Sequence, residues 1–125
     1  MEIIISTNNN KPIYEQITEQ IKEMVMCGEL KHGEAIPSMR ALAKSLHVSV
    51  ITVQKAYEQL QRDGFIETTV GRGSFISANS KDFYQEEQQK KIEAHLQEAT
   101  EIAKRSNVSL ETLIQLVNMF YEEEA

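Results

Sequence analysis

Apolar residues recur three or four positions apart in three segments of the first half of the chain, which predicts three amphipathic α-helices. The first follows Pro12, a residue tolerated at the first helical position, and ends at Gly28. The second starts after Pro37 and Ser38, and the third after Ser49, because serine is a preferred N-cap residue. The predicted buried stripes are Ile13, Ile17, Ile21, Met24 and Val25 in the first helix, Leu42, Ala43 and Leu46 in the second, and Val53, Ala56, Tyr57 and Leu60 in the third.

Only two residues, His47 and Val48, separate the second predicted helix from the cap of the third, so the connection must be a tight turn. Val48 precedes Ser49, and Val53 follows that cap by four positions, which is the pattern of a hydrophobic staple. Two short helices joined by a tight turn predict a helix-turn-helix. A plain corner between two helices of a bundle has the same pattern, so the next segment decides between them.

The hydrophobic period changes from 3.6 to 2 after Gly64, which predicts two short β-strands. Residues 65–69 are rich in aromatic and β-branched side chains, and residues 74–77 form the returning strand. Residues 71–73, Gly-Arg-Gly, are the turn, since glycine adopts positive φ without steric cost. Residues 28–37 are predicted to be an irregular connection. A hairpin directly after a helix-turn-helix is a wing, so residues 1–77 are predicted to form a winged helix-turn-helix domain.

The last third of the chain returns to helical spacing. A long helix is predicted from Asp82 to about residues 105–107, and Ser109 is placed to cap a final helix. Two such helices cannot enclose a core alone, so their stripes must pack on each other and on a partner. Residues 78–125 are therefore predicted to be a two-helix dimerisation module, in a fold that is mostly α with a small β-hairpin wing. The predicted dimer contacts are Ile92, Leu96, Ile102, Leu110, Leu113, Leu116, Val117 and Phe120.

The composition is that of a globular protein. The chain has 125 residues, of which 41% are hydrophobic and 26% charged, enough to fill a modest core. The N-terminal sequence MEIIISTNNN lacks the basic and apolar regions of a signal peptide, and no apolar stretch approaches the roughly 18 residues that span a bilayer. Cys27 is the only cysteine, which excludes an internal disulfide. We expect a soluble, cytoplasmic protein without membrane contact.

The net charge of −6 argues at face value against nucleic acid, but the charge is unevenly distributed. Residues 1–76 contain eight Lys and Arg against nine Asp and Glu, whereas residues 77–125 contain five against ten. Residues 38–62 contain four basic residues and a single acid, Glu58, a balance of +3. Because binding depends on the charge of one face and not on the total, this segment stays a candidate nucleic-acid interface.

Three elements stand at fixed spacing and carry the motifs PIYEQI at 12–17, PSMRALA at 37–43, VS at 48–49, TV at 52–53, KAY at 55–57, Leu60, Gly64, Ile66 and GRGSFI at 71–76. Together these residues resemble the GntR family of bacterial transcriptional regulators. The resemblance covers roughly residues 11–77 and is closest to the YtrA subfamily, with its small C-terminal dimerisation module. It implies a dimeric, DNA-binding repressor, often of operons for ABC transporters.

The chain departs from the family pattern at three positions. His47 stands where such sequences usually have glycine in a left-handed turn, a conformation that histidine tolerates better than most residues. The family commonly has arginine or asparagine at position 50 and often a basic residue at 54, where this chain has Val50 and Gln54. The base preferences of relatives therefore do not transfer to this chain.

Four cations are candidates for contacts with DNA phosphates or grooves. Arg40 matches a family arginine that contacts DNA, although a surface ion pair is its alternative role. Arg72 lies between two glycines at the hairpin tip and can enter a minor groove, or it is merely a solvated turn residue. Lys44 and Lys55 are phosphate candidates, and a solvated face is an equally good explanation of each.

Apolar and amide side chains at the start of the third helix are candidates for base contacts. Ile51 points almost directly away from the buried stripe, and with Val50 it can pack on the C5-methyl of thymine, while Gln54 matches the N6/N7 edge of adenine. An isolated surface hydrophobe is the alternative for Ile51. Thr52 can serve a base or a phosphate. The complete set of candidate DNA-binding residues is Ser38, Arg40, Lys44, Ser49, Val50, Ile51, Thr52, Gln54, Lys55, Gly71, Arg72 and Gly73.

Other functions have less support in the sequence. The three histidines are isolated and no CxxC or nucleophile–base set occurs, so no enzyme activity, metal or cofactor is predicted. We favour a dimer core over an effector pocket for Phe83, Tyr84, Met119, Phe120 and Tyr121, and no effector is identified. The partners predicted are a palindromic double-stranded operator and a second copy of the chain. The alternative function is a protein-interaction module that has lost DNA binding.

Overall fold

Five α-helices and three short β-strands make up residues 1–123, the part of the chain that the computed structural model describes. Residues 1–86 form one compact unit, and a second unit begins at Glu87. In chain order the elements are α1 (Ile13–Met26), β1 (Ala35–Ile36), α2 (Met39–Leu46), α3 (Val50–Arg62), β2 (Ile66–Thr69), β3 (Gly73–Ile76), α4 (Ser80–Arg105) and α5 (Leu110–Glu122).

The core of the first unit lies where α3 packs against α1, α2 and strand β2. The predicted stripes of α1 and α3 are buried except at Ile13, which is 37% exposed because it lies at the first position of α1. The hydroxyl of Tyr57 donates to the carbonyl oxygen of Pro37 at 2.7 Å, so α3 is tied to the residue before the α2 cap. Burial raises the pKa of the Tyr57 phenol, which stays protonated as that donor.

The helix-turn-helix forms as the capping residues predict. The Ser38 hydroxyl accepts the Ala41 amide and the Ser49 hydroxyl accepts the Thr52 amide, each at 3.1 Å. His47 adopts the left-handed conformation with φ 58° and ψ 42°, which reverses the chain between α2 and α3. Val48 packs against the core, in agreement with the predicted staple. The caps and the left-handed turn therefore fix where α3 begins.

The sheet has three antiparallel strands in the order β1-β3-β2, so the prediction of a two-stranded hairpin and an irregular 28–37 connection was incomplete. Ile66 pairs with Ile76 and Thr69 with Gly73 in the hairpin, while Ile36 of β1 pairs with Ser74. The two residues of β1 are too few to show alternation, and their partner lies far along the chain. Strand β1 thus joins strand β3 of the wing to the residues that precede α2.

Two glutamines of α1 hold the N-terminal segment. The Gln20 amide oxygen accepts the Ile4 amide at 2.9 Å and its nitrogen donates to the Ile4 carbonyl at 2.7 Å. The Gln16 side chain makes the corresponding pair with Ser6, at 2.9 and 3.0 Å. Ile3 is buried in the core beside them. The polar backbone of this segment is thus satisfied by side chains four residues apart on one helix face.

The boundary between the units lies nine residues after the predicted one at 77/78. The first turns of α4 belong to the winged helix, because Tyr84 packs against its core and the Phe83 ring covers Gly64. A Cβ atom at Gly64 would lie 2.5 Å from that ring, and the residue has φ +86°. These contacts join residues that are distant in sequence, so hydrophobic periodicity does not reveal them.

The second unit contains the rest of α4 and all of α5. The Ser109 hydroxyl accepts the Thr112 amide at 3.1 Å, as predicted for a cap. Ala103 of α4 is buried, whereas no residue of α5 is buried in the single chain. The predicted contact residues that are exposed include Ile92, Leu96, Ile102, Leu110, Leu116, Val117 and Phe120, and Leu113 is half-buried.

Candidate nucleic-acid interface

The first turn of α3 presents apolar side chains to solvent. Ile51 is 77% exposed and Val50 42% exposed, although Val53 two residues later is completely buried. Position 51 lies opposite the buried stripe of the same helix, so the outward orientation predicted for Ile51 is confirmed. The capped start of α3 therefore carries an apolar surface next to its polar side chains.

The polar side chains at the start of α3 are oriented by one another. The Thr52 and Ser49 hydroxyl oxygens lie 2.9 Å apart, and Thr52 is half-buried. The Gln54 amide nitrogen donates to the Glu58 carboxylate at 3.1 Å, one helical turn away. This bond uses one of the two amide N–H groups of Gln54 and leaves its carbonyl oxygen and second N–H available. Glu58 thus fixes which way the Gln54 amide faces.

The candidate cations of the helix-turn-helix are exposed. Arg40 and Lys44 lie on α2 and make no ion pair within residues 1–123. The Lys55 ammonium of α3 lies 4.1 Å from the centre of the Tyr14 ring in the first turn of α1. Among these three cations, Lys55 has a defined neighbour that holds its charged group.

The wing ends in a tight turn that exposes Arg72. Gly71 and Gly73 have φ +82° and +95°, conformations that a side chain would strain. The Arg72 amide donates to the Thr69 carbonyl at 3.0 Å and closes the turn, while its side chain is exposed. Neither glycine has any atom within 4 Å of where a Cβ would lie, so the space on both sides of the tip is open.

The structure places most of the predicted site on one helix-turn-helix. Ser38, Arg40 and Lys44 lie at or on α2, and residues 49–55 lie at or on α3, which packs against it. The residues that sequence reasoning left out are Tyr14 and Glu58. The spacing of Gln54 and Glu58 could have indicated their bond, because residues four apart share a helix face. Nothing in the sequence pairs Tyr14 with Lys55, which are 41 positions apart.

The aromatic residues suggested for a common dimer core or effector pocket belong to different units. Phe83 and Tyr84 pack in the winged helix, where Phe83 also lines an open groove of about 570 Å³ beside β2. Met119, Phe120 and Tyr121 are exposed on α5. Phe83 and Tyr84 thus lie in the first unit, and Phe83 is still 36% exposed, so the use of these side chains in a dimer core stays a prediction.

No site for a metal ion or membrane span occurs in the part of the chain that the structure describes. Within residues 1–123, no three His, Cys, Asp or Glu side chains cluster in a way that could hold a metal ion. None of the helices there is both long and apolar enough to cross a bilayer.

Comparison with known proteins identifies the fold. Residues 13–76, from the start of α1 to the end of the wing, match the sequence profile described as bacterial regulatory proteins, gntR family. The chain belongs to the GntR family. It is 40% identical over 111 residues to the HTH-type transcriptional repressor YtrA of Bacillus subtilis (strain 168), which covers 89% of this chain and 85% of that protein.

Two solved structures extend the likeness of this GntR protein. A transcriptional regulator from Oenococcus oeni is 27% identical and aligns over 94% of this chain and 97% of its own, with a TM-score of 0.74. The AraR DNA-binding domain in complex with operator ORX1 is 25% identical and aligns over 62% of this chain and 96% of its own, with a TM-score of 0.55. Family and fold together make this GntR chain a DNA-binding transcriptional regulator, similar to the YtrA repressor.

Proposed function

We propose that this GntR protein is a dimeric repressor that binds a palindromic operator, with α3 in the major groove and the wing in the adjacent minor groove. The observation that carries the proposal is the 77% exposure of Ile51 on the capped first turn of α3. An isoleucine there costs free energy in water and gains a contact when a thymine methyl covers it. The operator complex of the similar AraR domain supports this use of the fold.

The side chains around Ile51 favour A·T base pairs. Val50 and Ile51 can pack on thymine methyls but offer guanine no hydrogen bond. Gln54, held by Glu58, keeps a carbonyl oxygen and one N–H, the acceptor and donor that the N6/N7 edge of adenine requires. Arginine, the usual partner of guanine, is absent from the first two turns of α3. We therefore propose half-sites that are rich in A·T where α3 docks.

Dimerisation through the second unit completes the proposal. The apolar residues of α5 other than the half-buried Leu113 are exposed in the single chain, and a second copy supplies a matching apolar surface by two-fold symmetry. Two α3 helices in such a dimer contact successive major grooves, with half-site centres about one helical turn, roughly 10 base pairs, apart. The similarity to YtrA supports repression as the outcome of binding, and the family resemblance points to a transporter operon.

The test is a selection of bound sequences from random duplex DNA with the wild type and Q54R side by side. The wild type should return a palindrome with A·T-rich half-sites. Q54R should shift one base pair per half-site toward G·C, by roughly 1–3 kcal/mol, because a guanidinium pairs with guanine O6 and N7. Glu58 will attract the new guanidinium, so the shift should fall near the lower end of that range.

Q61R is the matched control, because Gln61 is exposed on the same helix about two turns later. It adds the same charge away from the first turn and should leave the consensus unchanged. An identical consensus for the wild type and Q54R would show that Gln54 does not contact bases. Failure of the wild type to select or retard any duplex at low salt would instead support the protein-interaction alternative.

A further inference from the structure

We propose that Tyr14 is a positioning residue of the DNA interface, whose ring holds the Lys55 ammonium in place for a phosphate. The inference rests on the proposed function and adds to it a residue of α1 that is not itself one of the predicted contacts. The Lys55 Nζ lies 4.1 Å from the centre of the Tyr14 ring, well within the roughly 6 Å at which an aromatic face attracts a cation.

The two partners differ in how firmly they are held. Tyr14 is half-buried and packs against the core of the winged helix, so its ring has a fixed location. Lys55 is exposed and lies one turn after Ile51 on α3. The structure gives the Lys55 ammonium no carboxylate partner within residues 1–123. The half-buried Tyr14 ring thus holds the end of the exposed Lys55 side chain, and no carboxylate within residues 1–123 compensates the lysine charge.

Fixing the lysine affects binding through entropy. A free lysine side chain samples many rotamers and loses them when its ammonium meets a phosphate. The ring of Tyr14 restricts the side chain before DNA arrives, and it leaves the ammonium face opposite the ring open to a phosphate oxygen. Lys55 therefore supplies the charge that contacts the phosphate, while Tyr14 of α1 determines where that charge lies.

The test measures affinity for the tightest duplex recovered in the selection, by fluorescence anisotropy at several salt concentrations. Y14L should weaken binding roughly fivefold, because a rotamer-rich side chain is then immobilised in each subunit only on binding. It should leave the salt slope unchanged, since every cation is still present. Y14F keeps the ring and should bind like the wild type. K55M should weaken binding and reduce the log–log slope by about 2 per dimer.

A double-mutant cycle separates positioning from structure. In the K55M background, Y14L should have no further effect, because the ammonium that Tyr14 positions is gone. Equal weakening by Y14L in both backgrounds would overturn the inference, as would Y14F binding as weakly as Y14L or Y14L binding more tightly than the wild type. Wild-type affinity of K55M also overturns it while leaving the proposed function intact. Absence of duplex binding by the wild type would instead refute the proposed function.

Proton chemical shifts of the folded wild type test the contact between Tyr14 and Lys55 without a substitution at Tyr14. They therefore decide whether the contact exists even if Y14L unfolds. Protons above an aromatic ring face are displaced upfield by the ring current. The Lys55 Cε protons should therefore be displaced upfield in the wild type and in Y14F, and should remain so when the duplex is added. Lys55 shifts equal to those of the exposed Lys44 would overturn the inference.

Discussion

Arg72 occupies the tip of the wing between two glycines whose backbone conformations would strain any other residue. Its guanidinium can enter a minor groove without obstruction from neighbouring side chains, and a narrow A·T groove attracts it most strongly. R72A should therefore weaken binding to all duplexes, by roughly 1.5–3 kcal/mol for each subunit that loses charged hydrogen bonds. It should also blunt any preference for a narrow A·T minor groove beside each half-site, measured by competition between duplexes that differ only there.

R62A is the matched control for R72A. Arg62 lies at the end of α3, away from the hairpin tip, and its guanidinium donates to Gln59 at 3.3 Å. Its removal deletes the same charge from the same unit and should change affinity far less. An R72A protein that binds like the wild type would mean that the wing does not anchor the complex.

At the scale of elements, α5 has an apolar stripe that the single chain leaves uncovered. Replacing Leu113 and Leu116 with aspartate should yield monomers, because four buried charges per dimer would face each other across the proposed interface. Light scattering at micromolar protein concentration measures whether the variant is a monomer or a dimer. The winged helix has its own core, so the variant should keep the helical content of residues 1–86.

The control for this variant places the same charges on the other face of α5. Gln115 and Asn118 are exposed and lie on the polar side of that helix. Q115D/N118D should remain dimeric, since these positions stay in water. A wild type that is monomeric at micromolar concentration, or a dimer that survives L113D/L116D, would contradict the interface.

The elements predicted correctly are those whose signals are local. Ser38, Ser49 and Ser109 cap helices within three residues of themselves, and His47 lies in a turn that only a left-handed residue completes. Strand β1 was missed because its two residues can be recognised as a strand only through their pairing with β3. The contact of Phe83 with Gly64, which places the start of α4 in the first unit, is likewise long-range and has no local signal in the sequence.

The same difference between local signals and long-range contacts applies to the candidate site. The outward direction of Ile51 follows from helical geometry, and the bond between Gln54 and Glu58 follows from their spacing. Periodicity cannot show that Tyr14 of α1 contacts Lys55 of α3, because the packing of whole helices brings them together. Sequence therefore predicts which side chains an element exposes, while the fold determines which exposed side chains are held in place.

For the whole molecule, the net charge of −6 is a poor guide to the affinity for DNA. The exposed cations Arg40, Lys44, Lys55 and Arg72 amount to about eight per dimer, so the plot of log affinity against log salt should have a slope of about −5 to −7. K44A should make that slope shallower by about 2 per dimer. Anisotropy titrations across salt concentrations measure both quantities.

K104A is the control for the salt measurement, because Lys104 is exposed in the second unit. Its removal leaves the proposed phosphate contacts intact and should preserve the slope. A slope near zero for the wild type would show that phosphate contacts contribute little to binding. The net negative charge of the whole chain would then be a fair description of the proposed binding surface as well.

The glutamine pair of α1 has a consequence for how the molecule opens. Within residues 1–123, the amides of Ile4 and Ser6 bond to the side chains of Gln20 and Gln16. Rotation of these two side chains, with withdrawal of Ile3 and Ile5 from the core, therefore releases the segment. In native-state hydrogen exchange, these two amides should therefore exchange together through one local opening, with a smaller free energy and a weaker denaturant dependence than the amides inside α1. The N-terminal segment can then detach and return many times while α3 remains folded and able to bind.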